Sequence, residues 1–347
     1  MTASDAARAL IESSLVWDNH GCMPVRPHDE SFLPQLERYR AAGVNAVALN
    51  VGYGEQGIEE HVRMIAQFRR WLAAREADYV LVETTADIER ARREGKLAVM
   101  FDIEGMNAVA DQASLVQLYY DLGVRWMLVA YNWNNRAGSG CHEADDRGLT
   151  AFGRELLDEM ARVGMVACCS HTGHRTTMDV MAYSKRPVIF SHSNARAVHD
   201  HPRNVRDEAL RACAATGGVV GINGIRLFLT AEGDLVEAFV RHVDYIVQLI
   251  GPDHVGLGLD YVFDQKELDE AVSDAKLFPA ELGYSSGIRT VAPEAIEEIV
   301  ERLLTKGYAD DDIRAILGGN LFRVANQVWR HAEQSEGLGA RLSAEVA

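Results

Sequence analysis

The chain has 347 residues, 48% of them hydrophobic and 25% charged, and a formal charge of −16. That composition supports a sizeable core and leaves one large or two ordinary domains open, while the acidic balance argues against nucleic acid and anionic membrane surfaces as partners. Five cysteines, odd in number and without C-x-x-C spacing, fit neither a disulfide framework nor a zinc ribbon, so a reducing cytoplasm is the expected compartment.

The opening MTASDAARALIESS is acidic, lacks the apolar stretch of a secretory signal and is expected to form a short N-terminal helix. No run approaches 18 consecutive apolar residues, so no membrane-spanning helix is expected. The first apolar run, LVWDNH, ends at His20. FLPQLERYRAAG has helical period and leads to NAVALN, which ends at Asn50, and IEEHVRMIAQFRRWLAARE follows it. TADIERARREGK closes on Gly95, as a helix C-terminus should, and LAVMFDIE then ends at Glu104. ASLVQLYYDLGVR leads to WMLVAY and Tyr131; TAFGRELLDEMARVG leads to MVACCSH and His171. PVIFSH ends at His192. RNVRDEALRACAATGG leads to VVGIN and Asn223, and DLVEAFVRHVDYIVQLIG to HVGLGLD and Asp260. PEAIEEIVERLLTKG and DDDIRAILGGNLFRVANQVWRHAEQ read as closing helices.

Strand–helix alternation repeated eight times implies an α/β fold with a parallel sheet, and eight units close into a (β/α)8 TIM barrel. The alternative, a doubly wound open sheet, would gather functional residues at one switch point instead of at the ends of many strands. With no linker or composition shift, the reading is a single barrel domain over 1–347 with short N-terminal and C-terminal helices. The polar stretch 132–148 and the irregular stretch 263–289 are expected over the catalytic face.

Residues at the C-terminal ends of barrel strands build active sites in this architecture. Here they include His20, Glu104, His171 and His192, whose imidazole nitrogens and carboxylate oxygens can hold a divalent ion. Glu104 is a candidate bridge between two metals about 3.5–4 Å apart. Such a centre would generate hydroxide from bound water and polarise a carbonyl, and Asp260 is placed to shuttle the proton. Strand alternation is expected to aim Asp18, His20 and Cys22 together into the barrel mouth. A Cys22 thiolate is a competent zinc ligand; the alternative is a buried small apolar residue.

Other motifs carry less. Residues 52–57 match G-x-G-x-x-G with Glu76 about 20 residues on, but they follow the second of eight strands and read better as a βα loop. Cys141, His142 and Glu143 read as a solvated loop, and Cys168 and Cys169 as strand packing. His174, His199 and His201 crowd near the site, and the last two flank Pro202 and Arg203 and are expected to orient that loop. Asp310, Asp311 and Asp312 read as a helix N-terminus.

The motifs DNHGCMP (18–24), FDIEG (101–105), LGVR (122–125), SHT (170–172), PVIFSHSNARAV (187–198), HPRN (201–204), HVGLGLD (254–260) and ILGGN (316–320) resemble the membrane (renal) dipeptidase family. These are the M19 metallopeptidases of the amidohydrolase superfamily, and the resemblance runs from about residue 15 to 328. It implies a metallohydrolase, most often a dipeptidase tolerating a D-residue at the C-terminal position, using zinc-type ions and forming a homodimer. It further implies that His20 ligates one metal, Glu104 bridges, and His171 and His192 ligate the second. Arg203 would bind the substrate carboxylate or the tetrahedral intermediate, and Asp260 would shuttle the proton. Two positions depart from the family pattern. Its H-x-D reads His20-Gly21-Cys22 here, so either Cys22 replaces the aspartate or the first metal is weak or absent. The histidine expected after the fourth strand is Tyr131, whose phenol can still donate to an oxyanion and which joins Arg203 as a substrate-binding residue. The expected function is a cytoplasmic hydrolase of dipeptides or other small amides. A one-metal amidohydrolase with another substrate, or a non-catalytic binding barrel, is the alternative.

Overall fold

All eight residues of LAVMFDIE are buried, as they must be when a parallel strand is covered on both faces. The computed structural model describes residues 3–330. Its eight principal strands are β1 (Trp17–Cys22), β2 (Ala46–Tyr53), β3 (Leu97–Glu104), β4 (Val124–Leu128), β5 (Val166–Cys168), β6 (Val188–Ile189), β7 (Val220–Ile222) and β8 (Val255–Leu257). They pair in parallel in the order β6-β5-β4-β3-β2-β1-β8-β7. A single parallel bridge from Phe190 to Val220 draws the two ends together into a barrel. The expected α/β barrel is therefore the architecture found.

Two apolar layers hold it. Trp17, Ala46, Ala48, Ala98, Met100 and Trp126 fill the interior, and Val47, Leu49, Val99 and Phe101 pack outward against Met64 and Phe68 of the helix Ile58–Ala73. Further helices at Thr85–Arg93, Leu115–Asp121, Ala151–Val163, Asp207–Ala215, Leu235–Ile250 and Ile296–Thr305 lie where the 3.6-residue period puts them. The expected N-terminal helix is Ala3–Ser13. No helix among the described residues is long and apolar enough to cross a membrane.

Several local features differ from the sequence reading. FLPQLERYRAAG splits into a 3-10 turn, Leu33–Leu36, and a short helix, Glu37–Ala41. A helix, His174–Tyr183, joins β5 to β6, and a short extra strand, Tyr79–Leu81, pairs with the lower half of β3 below the point where β4 begins. The stretch 263–289 contains a helix, Gln265–Ala271, and Tyr261–Val262 pairs with β1 at Gly21 and Cys22. The closing stretch is broken into Asp310–Arg314, a π-turn Ala315–Gly319, and Asn320–Val328; its residues 331–334 lie outside the described residues. At that π-turn a Cβ on Gly318 would come within 2.5 Å of the Leu15 carbonyl oxygen, so glycine lets the helix pass under the start of β1.

Asp18 does not share a face with His20 and Cys22. The pairing of β1 with β2 slips between Asp18 and Gly21, where three steps on β1 oppose two on β2. This bulge inverts the alternation. Asp18 turns outward, accepting from Tyr39 Oη at 2.8 Å and from the Leu259 amide at 2.8 Å, while His20 and Cys22 face the mouth.

Candidate metal centre at the mouth of the barrel

The ends of β1 and β3, with the segments after β5, β6 and β8, bring His20, Cys22, Glu104, His171, His192 and Asp260 together. Interior parity on β3 aims Ala98, Met100, Asp102 and Glu104 the same way. His171 and Asp260 lie past their strands and reach the centre through left-handed backbone, with φ of 59° and 55°. Outside glycine that conformation is uncommon and strained, and it gathers at functional sites.

The geometry centres on Glu104 Oε1. It lies 3.0 Å from His192 Nε2, 3.4 Å from His171 Nε2 and 3.7 Å from His20 Nε2. The two Nε2 atoms of His171 and His192 are 3.0 Å apart, and the rings of His20 and His192 stack at 4.0 Å. The second ring nitrogens explain the orientation. His20 Nδ1 faces Asp102 Oδ2 at 3.2 Å, and His171 Nδ1 faces Asn132 Oδ1 at 2.7 Å. Both partners are pure acceptors, so each Nδ1 donates and leaves Nε2 bare. His192 Nδ1 meets Ser191 Oγ at 2.7 Å. A bare Nε2 of His171, and of His20 in its neutral form, therefore faces a carboxylate oxygen that is buried and has no hydrogen-bond partner. Lone pairs facing lone pairs at these distances call for a cation between them.

A second set of donors adjoins the first. Cys22 Sγ is 3.4 Å from His20 Nε2 and 3.1 Å from Asp260 Oδ1, and His20 Nε2 is 3.5 Å from Asp260 Oδ1. Two groups, His20–His192–Asp260 and Glu104–His171–His192, have the mutual spacing a metal requires. Burial pushes the Glu104 carboxyl up to about 8, with Asp260 and Asp102 acting in the same direction against His20 and Arg203. Burial also lowers His171 and His192 well below their usual range, so both stay neutral, as ligands must. At His20 burial acts the same way, but Cys22, Asp102 and Glu104 outweigh it and raise the imidazole, which a bound ion would have to deprotonate. The Cys22 thiol is raised by burial; a bound divalent ion would reverse that direction.

Three supports were absent from the sequence reading. Asp102 holds His20 and is itself held by Asn50 Nδ2 at 3.0 Å. Asn132 fixes His171. Asn223 donates to Asp260 Oδ2 at 2.7 Å, leaving Oδ1 toward the centre. Alternation along β3 was the available signal for Asp102; Asn132 and Asn223 gave none beyond following an apolar run.

Tyr131 lines the cavity above the centre, its ring stacked on His171 at 4.2 Å. Arg203 is buried. Its Nη1 donates to Ser193 Oγ at 3.1 Å and its Nη2 to the His192 carbonyl at 2.9 Å, and its Nε has no partner. His201 orients this loop, since its Nδ1 accepts from the Arg203 amide at 3.1 Å. The 141–143 segment is half-buried: His142 packs edge-on to Trp133 and Tyr284, and burial lowers its pKa to about 3. Residues 54–57 form a βα loop, and Tyr53 at the end of β2 lines the cavity.

A model of the membrane dipeptidase family (peptidase family M19) matches residues 32–292. An uncharacterized dipeptidase of Schizosaccharomyces pombe is 32% identical over 286 residues, covering 80% of this chain and 63% of that protein. Dipeptidase verJ of Clonostachys rogersoniana is 31% identical over 269 residues, 77% of this chain and 64% of that one. The chain thus spans somewhat less than two thirds of both relatives. Among solved structures, an amidohydrolase from Pseudomonas aeruginosa superposes with a TM-score of 0.83 at 28% identity, over 93% of this chain and 99% of that one.

Proposed function

The chain belongs to the membrane dipeptidase family, peptidase family M19, and from that membership we propose a metal-dependent hydrolase of small amides whose substrate class is dipeptides. The observation that carries this reading is Glu104 Oε1, buried, unpartnered and ringed by three imidazole Nε2 atoms within 3.7 Å. The donors suit a zinc-type ion: Glu104 with His171 and His192 on one side, and His20, Cys22 and Asp260 on the other. When bound, such an ion polarises a carbonyl and acidifies water.

The remaining work falls to the chain's own groups. Hydrolysis breaks the amide C–N bond; water supplies hydroxyl to the carbonyl carbon and a proton to the leaving nitrogen. Asp260, anchored through Oδ2 by Asn223, turns Oδ1 to the centre beside Cys22 Sγ and His20 Nε2, where it would take that proton and pass it on. Tyr131 offers a phenolic donor from the cavity wall to charge developing on the carbonyl oxygen. Arg203 spends one N–H on Ser193 and one on the His192 carbonyl, and its partnerless Nε is among the three N–H groups left for the substrate's terminal carboxylate. The test is turnover of an Xaa-Gly and Xaa-D-Ala panel by wild type and Glu104→Gln, with metal per chain measured on the same samples. Turnover lost in Glu104→Gln together with metal is expected. A wild type no faster than Glu104→Gln on every dipeptide would overturn the reading.

A further inference from the structure

The cavity opening on the centre takes in about 850 Å³ together with the open solvent at its mouth. Its two sides differ in chemistry. The wall away from the donors consists of Ile225, Phe228, Val272, Phe278, Tyr284 and Ile288. Four of these six come from the 263–289 segment, so that segment makes the wall. Phe278 stands edge-on to Tyr131 at 6.4 Å and packs on Tyr284 at 5.2 Å, a rigid aromatic surface.

The rim is acidic. Asp264 and Glu267 both line it, and Arg26, which pairs with both, is not among the lining residues. No lysine or arginine lines this cavity among the described residues. Two carboxylates against one guanidinium leave the rim favourable to a cation and hostile to an anion. Arg203 lies beyond His171, lining a separate cavity, with its guanidinium 5.5 Å over the Phe228 ring.

We propose that this cavity receives the residue that supplies the scissile carbonyl, and that it selects a bulky apolar side chain carrying a free ammonium. The inference rests on the dipeptidase reading above. With the carboxylate of the leaving residue held on the Arg203 side, the apolar wall and acidic rim fall to the N-terminal residue. Phe-Xaa and Leu-Xaa are the preferred substrates; Gly-Xaa lacks the buried surface, Asp-Xaa places an anion at the rim, and N-acetylated dipeptides lack the ammonium. Burying such a side chain is worth about 1.5–3 kcal/mol, which corresponds to roughly 10–150-fold in kcat/KM.

The test compares kcat/KM for Phe-Gly, Leu-Gly, Gly-Gly, Asp-Gly, Gly-Phe and N-acetyl-Phe-Gly on the wild-type holoenzyme. Phe-Gly and Leu-Gly should exceed Gly-Gly by at least about 10-fold, with Asp-Gly and the acetylated peptide slower still. Phe278→Ala should lower the ratio of Phe-Gly to Gly-Gly. The wild-type panel decides the matter even where that variant folds poorly. Gly-Phe or Asp-Gly cleaved as well as Phe-Gly would overturn the pocket assignment and leave the dipeptidase reading standing. No cleavage of any dipeptide would remove both.

Discussion

Replacing Cys22 by alanine separates a metal-ligating sulfur from a packing one. The atoms Cys22 Sγ, His20 Nε2 and Asp260 Oδ1 form a triangle with sides of 3.4, 3.1 and 3.5 Å. A tetrahedral ion about 2.3 Å from sulfur and about 2.0–2.1 Å from nitrogen and oxygen needs edges of roughly 3.3–3.6 Å. Two sides already meet that within about 0.2 Å, and the third must open by roughly half an ångström. Loss of an outer hydrogen-bond partner costs ~10–100-fold in metal affinity. Loss of a direct ligand should therefore exceed ~100-fold, or about 2.7 kcal/mol. The assay loads the protein with cobalt(II), dialyses it against a weak chelator, counts metal per chain and records the near-ultraviolet thiolate-to-cobalt absorption. Wild type should hold two ions and show the band. Cys22→Ala should hold one ion without the band, and Cys22→Asp should regain the second ion but not the band. A Cys22→Ala protein holding two ions at wild-type affinity, or a wild type with no thiolate band, would refute the assignment.

Asn132→Gly should weaken metal binding about 10–100-fold by freeing His171; glycine is chosen because Asn132 has a φ of 54°. Chelator competition measures it, and unchanged affinity would mean that His171 is held by other contacts. His242 Nδ1 accepts from the Ala195 amide and its Nε2 faces the Leu229 carbonyl, and burial lowers its pKa to about 4. The unfolded chain binds that proton first, near pH 6.5. Stability from this group is therefore full above pH 6.5 and is lost as pH falls through 4, a contribution of about 3 kcal/mol. Urea midpoints between pH 7 and 4 should fall less steeply in His242→Gln; equal slopes would contradict the reasoning. In Gly258→Ala the new Cβ would sit 2.0 Å from the Ser191 carbonyl oxygen. The backbone carrying His192 must shift, so destabilisation should exceed the ~1–3 kcal/mol of ordinary overpacking, and an unchanged thermal midpoint would disprove the close approach.

Much of the centre was legible because its chemistry follows strand ends. His20, Glu104, His171 and His192 each end an apolar run, and the structure brings the three histidines within 3.7 Å of Glu104 Oε1. Asp102 was equally legible by parity, two residues before Glu104. The bulge in β1 was not, since one extra residue between Asp18 and Gly21 leaves no mark in composition yet reverses which side chains face the mouth. Tyr79–Leu81 escaped because a three-residue strand between two helices has too little sequence to show a period. The helix His174–Tyr183 contains two threonines and starts only three residues after His171, so the strand-end motif hid its beginning. Asn132 and Asn223 matter through distances of 2.7 Å to residues far along the chain, which no local pattern records.

The left-handed backbone at His171 and Asp260 sets stability against activity at two particular positions. Glycine would relax either site by roughly a kilocalorie per mole or more, so a screen that rewards heat resistance alone would be drawn to both. Each such gain would delete a donor from the centre. A thermostabilised descendant of this protein should therefore be sought with positions 171 and 260 held constant, since the fold would be better off without the residues that occupy them.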